Sequence, residues 1–201
     1  MKKIKEIFIG THNKGKIGEI SYLLNRKIKK ITPFDLNIKS PKETGNSFKA
    51  NSELKAKYFF KKSKMMTISD DSGLCVDCLK GEPGIYSARW SKKYGNFNKA
   101  GKKIIQLVKN KNKNKKIKNT KAKFVCSLTF YYNNNKKITT IGIIKGKISD
   151  RLLGKNGFGY DPIFIPNGFS ITFGQMSKRK KILMDHRFLA FKKLKSKINI
   201  L

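Results

Sequence analysis

The sequence predicts a single α/β domain. Short apolar runs of the kind that form strands alternate along the chain with segments in which apolar residues recur at helical spacing. The length of 201 residues suits one domain. There is no internal repeat and no linker of different composition. We therefore expect one domain over residues 1–201, with or without a division into two lobes.

The first predicted strand covers residues 4–9, where an alternating pattern becomes continuously apolar. Gly10 ends it, and a polar loop over residues 11–16 leads into a helix with apolar residues at helical spacing. A second helix follows, for which Thr44 or Asn46 is the expected cap.

A short buried strand is then predicted over residues 65–69, ending at the acidic pair Asp70–Asp71. Turns are expected at residues 72–73 and 81–84, because both contain glycine in a polar setting. In the second half of the chain, a helix is predicted over 104–108 and an exposed lysine-rich loop over 109–118. A hairpin follows, with strands over 124–132 and 138–144 and a turn over 133–135. The last predicted element is a C-terminal amphipathic helix over 188–198.

The charge is strongly positive, with 47 basic against 12 acidic residues and a formal net charge of +35. Only five of the basic residues are arginines, the type that reads bases and phosphates with a two-pronged fork. Lysine is spread from end to end. We expect weak, salt-sensitive attraction to polyanions, but no specific nucleic-acid partner.

No stretch approaches the roughly 20 apolar residues that a membrane-spanning helix needs, so no membrane partner is expected. The N-terminal charges have no apolar run behind them, and the chain has three cysteines. These features predict a cytoplasmic protein. Cys75 and Cys78 form a Cys-x-x-Cys pair, but no second pair accompanies them, so we interpret them as strand residues rather than as a zinc or redox site.

Carboxylates are scarce, so their positions are informative. Asp70 and Asp71 stand side by side after an apolar strand. Such a pair is common in a solvated turn or a helix cap. The alternative is a Mg²⁺ site, since Mg²⁺ takes one or two carboxylates together with water and phosphate oxygens. Glu43 is a plausible further ligand.

Three other segments could carry chemistry. The loop over residues 11–16 joins a strand to a helix and could hold phosphates, or could be a simple connection. Residues 157–162 place Phe158 between two glycines, which suits stacking on a base or an ordinary β-turn. Asp185 is a good helix cap, which would leave His186 and Arg187 on an exposed first turn.

Together these segments resemble one family. They are THNKGK (11–16) with Glu19, SDDSGL (69–74), PGIYSAR (83–89), GFGYDP (157–162) and HR (186–187), in that order. The chain resembles the inosine/xanthosine triphosphate pyrophosphatases, also called dITP/XTP pyrophosphatases. These enzymes clear non-standard purine nucleotides from the nucleotide pool by hydrolysing ITP, dITP and XTP to the monophosphate and pyrophosphate.

The resemblance implies an elongated mixed β-sheet flanked by helices, two lobes with a central nucleotide cleft, Mg²⁺ as cofactor, and a homodimer. It implies that Asp71 is the catalytic proton acceptor and that Asp71 and Glu43 bind the metal. The implied substrate-binding residues are Thr11, His12, Asn13, Lys14, Gly15, Lys16, Ser72, Phe158, Gly159, Tyr160, Asp161, Lys181, His186 and Arg187. Replacing Arg187 with alanine is expected to impair catalysis and leave folding intact.

Two other functions stay open at this point. The first is a related pyrophosphatase that acts on modified pyrimidine or other nucleotides. The second is a basic nucleic-acid-binding protein without catalytic activity, which would have its charge concentrated on one face and would need no paired acids.

Overall fold

The structure is a computed structural model that describes residues 4–133 and 136–198. The strands are β1 (Glu6–Ile9), β2 (Lys29–Ile31), β3 (Thr67–Val76), β4 (Lys121–Asn133), β5 (Lys136–Ile148) and β6 (Phe164–Pro166). The helices are α1 (Lys14–Leu23), α2 (Phe48–Ser63), α3 (Ser87–Lys93), α4 (Phe97–Lys111), α5 (Lys178–Ile182) and α6 (His186–Lys197). Short 3₁₀ turns lie at Asp77–Leu79, Gly84–Tyr86 and Asp161–Ile163.

The six strands form one mixed sheet in the order β2-β1-β3-β4-β5-β6. Strand β1 runs parallel to both β2 and β3, whereas β6 is antiparallel to β5. A strand–helix–strand path connects the parallel pair β1 and β2 through α1, which is the usual way to join parallel neighbours. The predicted mixed α/β sheet with flanking helices is confirmed.

The chain forms two compact units, and the boundary between them falls within β3, β4 and β5. The first unit contains the residues up to Asp71, residues 126–142, and the residues from His186 onward. One buried cluster of its core is aliphatic apart from Phe130 and Phe191, and Phe8 and Phe59 are also completely buried in this unit. It includes the apolar side of β1 and of α6, the C-terminal helix predicted from its spacing.

The second unit contains residues 72–125 and 143–185. Its core is built around α4, which buries Ile104, Ile105 and Val108. Three aromatic rings, Phe124, Phe164 and Phe173, pack beside this helix, and the first two meet edge to face with centroids 4.7 Å apart. Such edge-to-face contacts add to the stabilisation that burial provides.

The prediction that a strand ends at Asp70–Asp71 is wrong. Strand β3 continues through both acids and through Ser72–Gly73 to Val76. A turn would have exposed the carboxylates to water, whereas here both are buried and offset by cationic side chains. Burial of a carboxylate inside a strand is tolerated only with such partners.

Two further boundaries also differ from the prediction. Helix α2 is capped by Ser47, whose side chain accepts from the backbone N–H of Ala50, rather than by Thr44 or Asn46. Helix α4 extends into the lysine-rich run, and Asn112 just beyond its end is buried rather than exposed. Asn134 and Asn135 of the predicted hairpin turn lie outside the described residues, as do residues 1–3.

Candidate active site

The two neighbouring acids of β3 have different partners. Successive side chains of a strand point to opposite faces. Asp70 meets side chains from α1 and α6, whereas Asp71 meets side chains from α2. One short piece of strand in the first unit therefore supplies two separate carboxylate environments.

Asp70 is completely buried and bound by two cations. Its Oδ2 lies 3.1 Å from Nη2 of Arg187 and 3.2 Å from Nζ of Lys16. The same guanidinium donates through Nη1 to Glu19, which is also buried. Arg187 is 1% exposed and links two buried carboxylates from different parts of the chain.

This position of Arg187 corrects the sequence interpretation. Helix α6 does begin at His186, as expected, but His186 and Arg187 on its first turn are both buried instead of solvent-exposed, and Arg187 is bonded to two carboxylates. This burial argues against the expectation that alanine at this position leaves folding intact, since the change would remove the guanidinium that neutralises Asp70 and Glu19.

Asp71 belongs to a second set of contacts, centred on Lys55. Oδ2 of Asp71 accepts a hydrogen bond of 3.0 Å from Nδ2 of Asn51. Its Oδ1 lies 3.8 Å from Nζ of Lys55, and the same ammonium lies 2.7 Å from Oε1 of Glu43. Oδ1 of Asn51 also accepts from the N–H of Gly45, so one amide connects the acid to the loop that carries Glu43.

Burial and charge act against each other on these groups. Burial raises the pKa of Asp71 above its ordinary value, although Lys55 and Lys16 act to lower it. For Glu43 the largest effect, burial, also raises the pKa, but the charge and hydrogen bond of Lys55 outweigh it and the net shift is downward. Burial alone would lower the pKa of Lys55, yet Asp71, Asp70 and Glu43 together raise it.

The loop before α1 is fixed by its own side chains. The Asn13 side chain caps the helix by accepting from the N–H of Lys16, and Oγ1 of Thr11 accepts from the N–H of Asn13. His12 is held through a contact of 2.6 Å between its Nδ1 and Oγ of Ser40. Lys14 and Gly15 form the first turn of α1, where helix N–H groups suit an anion.

In the second unit, the segment from Gly157 to Asp161 folds around one carboxylate. Oδ2 of Asp161 accepts from the N–H of Phe158 at 2.8 Å and lies 2.7 Å from Nζ of Lys181. Gly157 has a φ of 74°, and a Cβ there would collide with the Asp161 carboxylate, so only glycine fits. Asp161 and Lys181 are each 2% exposed.

Aromatic contacts complete this segment. The Lys181 ammonium lies 4.6 Å from the centroid of the Phe158 ring, a cation–π distance. The hydroxyl of Tyr160 donates to the backbone carbonyl of Ser87, and burial raises the pKa of that hydroxyl. Ser87 in turn accepts from the N–H of Leu74, two residues beyond half-buried Ser72.

The structure thus brings several expected residues together within each unit. Lys16 meets Asp70, Glu43 and Asp71 share the ammonium of Lys55, and Phe158, Asp161 and Lys181 are mutual neighbours. Sequence reasoning gave no site role to Asn51 or Lys55. It considered Asp70 only as one of an acidic pair at a possible Mg²⁺ site, and Glu19 only as part of a motif. Asn51 and Lys55 are one helical turn apart on α2, a spacing that was available in the sequence, but nothing in it showed that they face an acid.

A metal site can be tested on the same contacts. Within residues 4–133 and 136–198 no group of three or more His, Cys, Asp or Glu side chains could hold a metal ion. Asp71 and Glu43 nevertheless both contact the Lys55 ammonium, and both supply the hard oxygens that Mg²⁺ prefers. The donor set therefore fits Mg²⁺ with water or phosphate oxygens as further ligands, and does not fit a cage made of protein alone.

No helix among the described residues is both long and apolar enough to cross a bilayer.

A sequence model of the Ham1 family matches residues 7–197. The chain is 40% identical over 193 residues to the dITP/XTP pyrophosphatase of Dictyoglomus thermophilum, covering 94% of this chain and 92% of that protein. It is 37% identical over 205 residues to the dITP/XTP pyrophosphatase of Campylobacter jejuni, covering 98% of each.

Solved structures agree with these sequence matches. A HAM1 protein from Coxiella burnetii superposes with a TM-score of 0.85 at 27% identity, covering 98% of this chain and 99% of that one. The Ham1 protein of Staphylococcus aureus gives a TM-score of 0.79 at 34% identity, covering 97% and 98%. Since family model, sequence relatives and fold all agree over nearly the whole length, the chain belongs to the Ham1 family.

Proposed function

We propose that this protein is a Mg²⁺-dependent nucleoside triphosphate pyrophosphatase that hydrolyses ITP, dITP and XTP to the monophosphate and pyrophosphate. Membership of the Ham1 family and the dITP/XTP pyrophosphatase relatives support the reaction class. The observation that carries the proposal is the buried carboxylate of Asp71, oriented by Asn51 and facing Lys55 and Glu43.

The loop before α1 is assigned to the triphosphate. Asn13 keeps the start of α1 in place by accepting from the N–H of Lys16, so the N–H groups of Lys14 and Gly15 are the ones offered to an anion at this helix end. The Lys16 ammonium adds a full charge; its side chain is 14% exposed, and it lies 3.2 Å from Oδ2 of Asp70. Thr11 and His12 supply further polar groups in the same loop.

Asp71 is assigned as proton acceptor for the water that attacks the α-phosphorus. A carboxylate whose pKa is raised by burial is a stronger base than an ordinary aspartate. Its Oδ2 is held by Asn51, which fixes the orientation of the carboxylate. Lys55 positions this acid and Glu43 through one ammonium, so we assign it a positioning role.

Asp71 and Glu43 would hold Mg²⁺, whose charge would offset the charge that develops on the departing pyrophosphate. Ser72, next along β3, is assigned to substrate contact. In these assignments, the residues for the metal, for proton acceptance and for the phosphates are neighbours in the sequence or contact one another.

The second-unit segment is assigned to the purine. Phe158 can stack on the base, and Gly159, Tyr160, Asp161 and Lys181 supply its surroundings. Hypoxanthine and xanthine present an acceptor at O6 and a donor at N1, whereas adenine reverses both. A site with a fixed donor and acceptor leaves buried groups unpaired when adenine binds, which is a strong form of discrimination.

His186 and Arg187 are assigned to the same discrimination. A donor from Arg187 to O6 of the base rests on the family resemblance; the structure shows the guanidinium bonded to Asp70 and Glu19. In this assignment the buried carboxylates set the orientation of the guanidinium before substrate arrives.

Homodimer formation and a cytoplasmic location also belong to this proposal, and they rest on the family resemblance. Light scattering in at least moderate salt tests the dimer, because a net charge of +35 distorts low-salt behaviour. A mass near the monomer value of 23.0 kDa at micromolar concentration would contradict it.

Release of pyrophosphate from a substrate panel tests the function. The panel contains ITP, dITP, XTP, ATP, GTP and a set of modified pyrimidine triphosphates, each with and without Mg²⁺. We expect fast, Mg²⁺-dependent release from the first three only. Faster turnover of modified pyrimidine nucleotides would replace the proposed specificity, and no turnover of any triphosphate would refute the proposed activity.

A further inference from the structure

A pocket of about 350 Å³ lies in the second unit beside the C-terminal end of α4. Its floor is apolar and is formed by the buried side chains of Ile105, Val108 and Ile148. Pockets of this size with an apolar lining and a few polar groups are typical of small-molecule sites. None of its lining residues belongs to the proposed catalytic or substrate-binding set.

Asn112 shapes one side of the pocket. Its Nδ2 donates to the carbonyls of Val108 and Asn119, and its Oδ1 accepts from the N–H of Asn119 at 2.6 Å. The side chain therefore ties the two ends of the loop over residues 113–118 together. Its bond to Val108, and the bond of its own N–H to Lys109, also occupy carbonyls at the helix end that would repel an anion.

The rim of the pocket is positively charged. Lys109, Lys113 and Lys118 line it, and all three are exposed. Asp150 lies on the same rim and reduces the excess of positive charge. Three lysines against one aspartate leave the rim with a net positive charge, which suits an anionic head.

We propose that this pocket binds a small amphipathic anion, with an apolar body on the floor and a carboxylate at the lysine rim. The apolar body is held by Ile105, Val108 and Ile148, and the head by Lys113 and Lys118 across the loop that Asn112 closes. This proposal does not depend on the proposed pyrophosphatase activity, because the two use different residues.

Titration of the full-length protein with octanoate, followed by methyl NMR at about 0.15 M salt, tests the proposal. We expect saturable shifts at the methyl groups of Ile105, Val108 and Ile148. Affinity should fall about tenfold for each pair of methylenes removed, from octanoate through hexanoate to butanoate. Shifts that do not saturate, or affinities independent of chain length, would overturn the proposal.

A matched pair of double variants separates the rim from general positive charge. Lys113→Gln with Lys118→Gln should weaken octanoate binding about fivefold, because both lysines line the pocket. Lys115→Gln with Lys116→Gln removes the same charge from the same exposed loop but does not touch the lining, and should change the affinity less than about twofold. Equal losses of octanoate affinity in the two double variants would show that the lysines act only through general positive charge, and would overturn the proposed site.

Discussion

The buried carboxylates of the two units are neutralised in different ways. In the first unit, Asp70 pairs with Arg187, 117 positions away, and Arg187 reaches back 168 positions to Glu19. In the second unit, Asp161 accepts from the N–H of Phe158, three positions away, and from Lys181, 20 positions away. The first arrangement exists only when the unit is assembled, whereas the second is partly closed by its own turn.

Removing Arg187 should have the largest effect on folding. Arg187→Ala takes the guanidinium from two buried carboxylates, and breaking a buried pair in this way costs about 3–5 kcal/mol. Urea unfolding gives the free energy of unfolding. Arg26→Ala, at an exposed position of the same unit, is the matched control and should change it by less than about 0.5 kcal/mol. Similar losses of unfolding free energy in the two variants would contradict the role given to the buried ion pairs of Arg187.

Removing Lys181 should cost less, because Asp161 keeps its backbone partner. We expect Lys181→Met to lower the free energy of unfolding by about 2–3 kcal/mol, since the methionine retains apolar packing beside Phe158 while a charged hydrogen bond is lost. Lys178→Met, exposed on the same helix, is the control. A loss as large as that of Arg187→Ala would show that the local turn contributes nothing.

The same contrast explains what could be predicted from sequence. The alternation of strands and helices, the polar loop between β1 and α1 and the glycine-bracketed segment at Phe158 depend on local patterns, and local patterns are visible in a sequence. The ion pair between Asp70 and Arg187 joins residues 117 positions apart, which the sequence does not show. Arg187 was therefore expected on an exposed turn. Likewise, β3 was expected to stop at its acids because the sequence does not show that Lys16 and Lys55 come to neutralise them.

The ion pair between Glu53 and Lys137 in the first unit is partly exposed, and its removal should have the smallest effect on stability. Burial raises the pKa of Glu53, but hydrogen bonds from Lys137 and Thr139 outweigh it and the net shift is downward. A lowered carboxyl pKa stabilises the fold above the unfolded-state value and the contribution disappears as the pH falls through the folded-state value. Because Lys137 is 42% exposed, solvent screening limits the gain to less than about 1 kcal/mol.

Glu53→Gln therefore should be slightly less stable than the unmodified chain near neutral pH, with the difference vanishing in acid. Urea unfolding at a series of pH values measures it. A difference that stays constant through the titration range would mean that the glutamate acts through packing rather than through its charge.

Asp71→Asn tests most directly the proposal that Asp71 accepts the proton in hydrolysis. The amide is nearly the same size but cannot take a proton and binds Mg²⁺ poorly, so pyrophosphate release from ITP should fall by at least about 10²–10⁴-fold. Calorimetric titration should show that ITP still binds, because the loop before α1 that carries Lys16 is unchanged. Asp77→Asn, exposed just beyond the end of β3, should leave turnover unchanged. If Asp71→Asn keeps more than about a tenth of normal turnover at saturating Mg²⁺, Asp71 is not the general base.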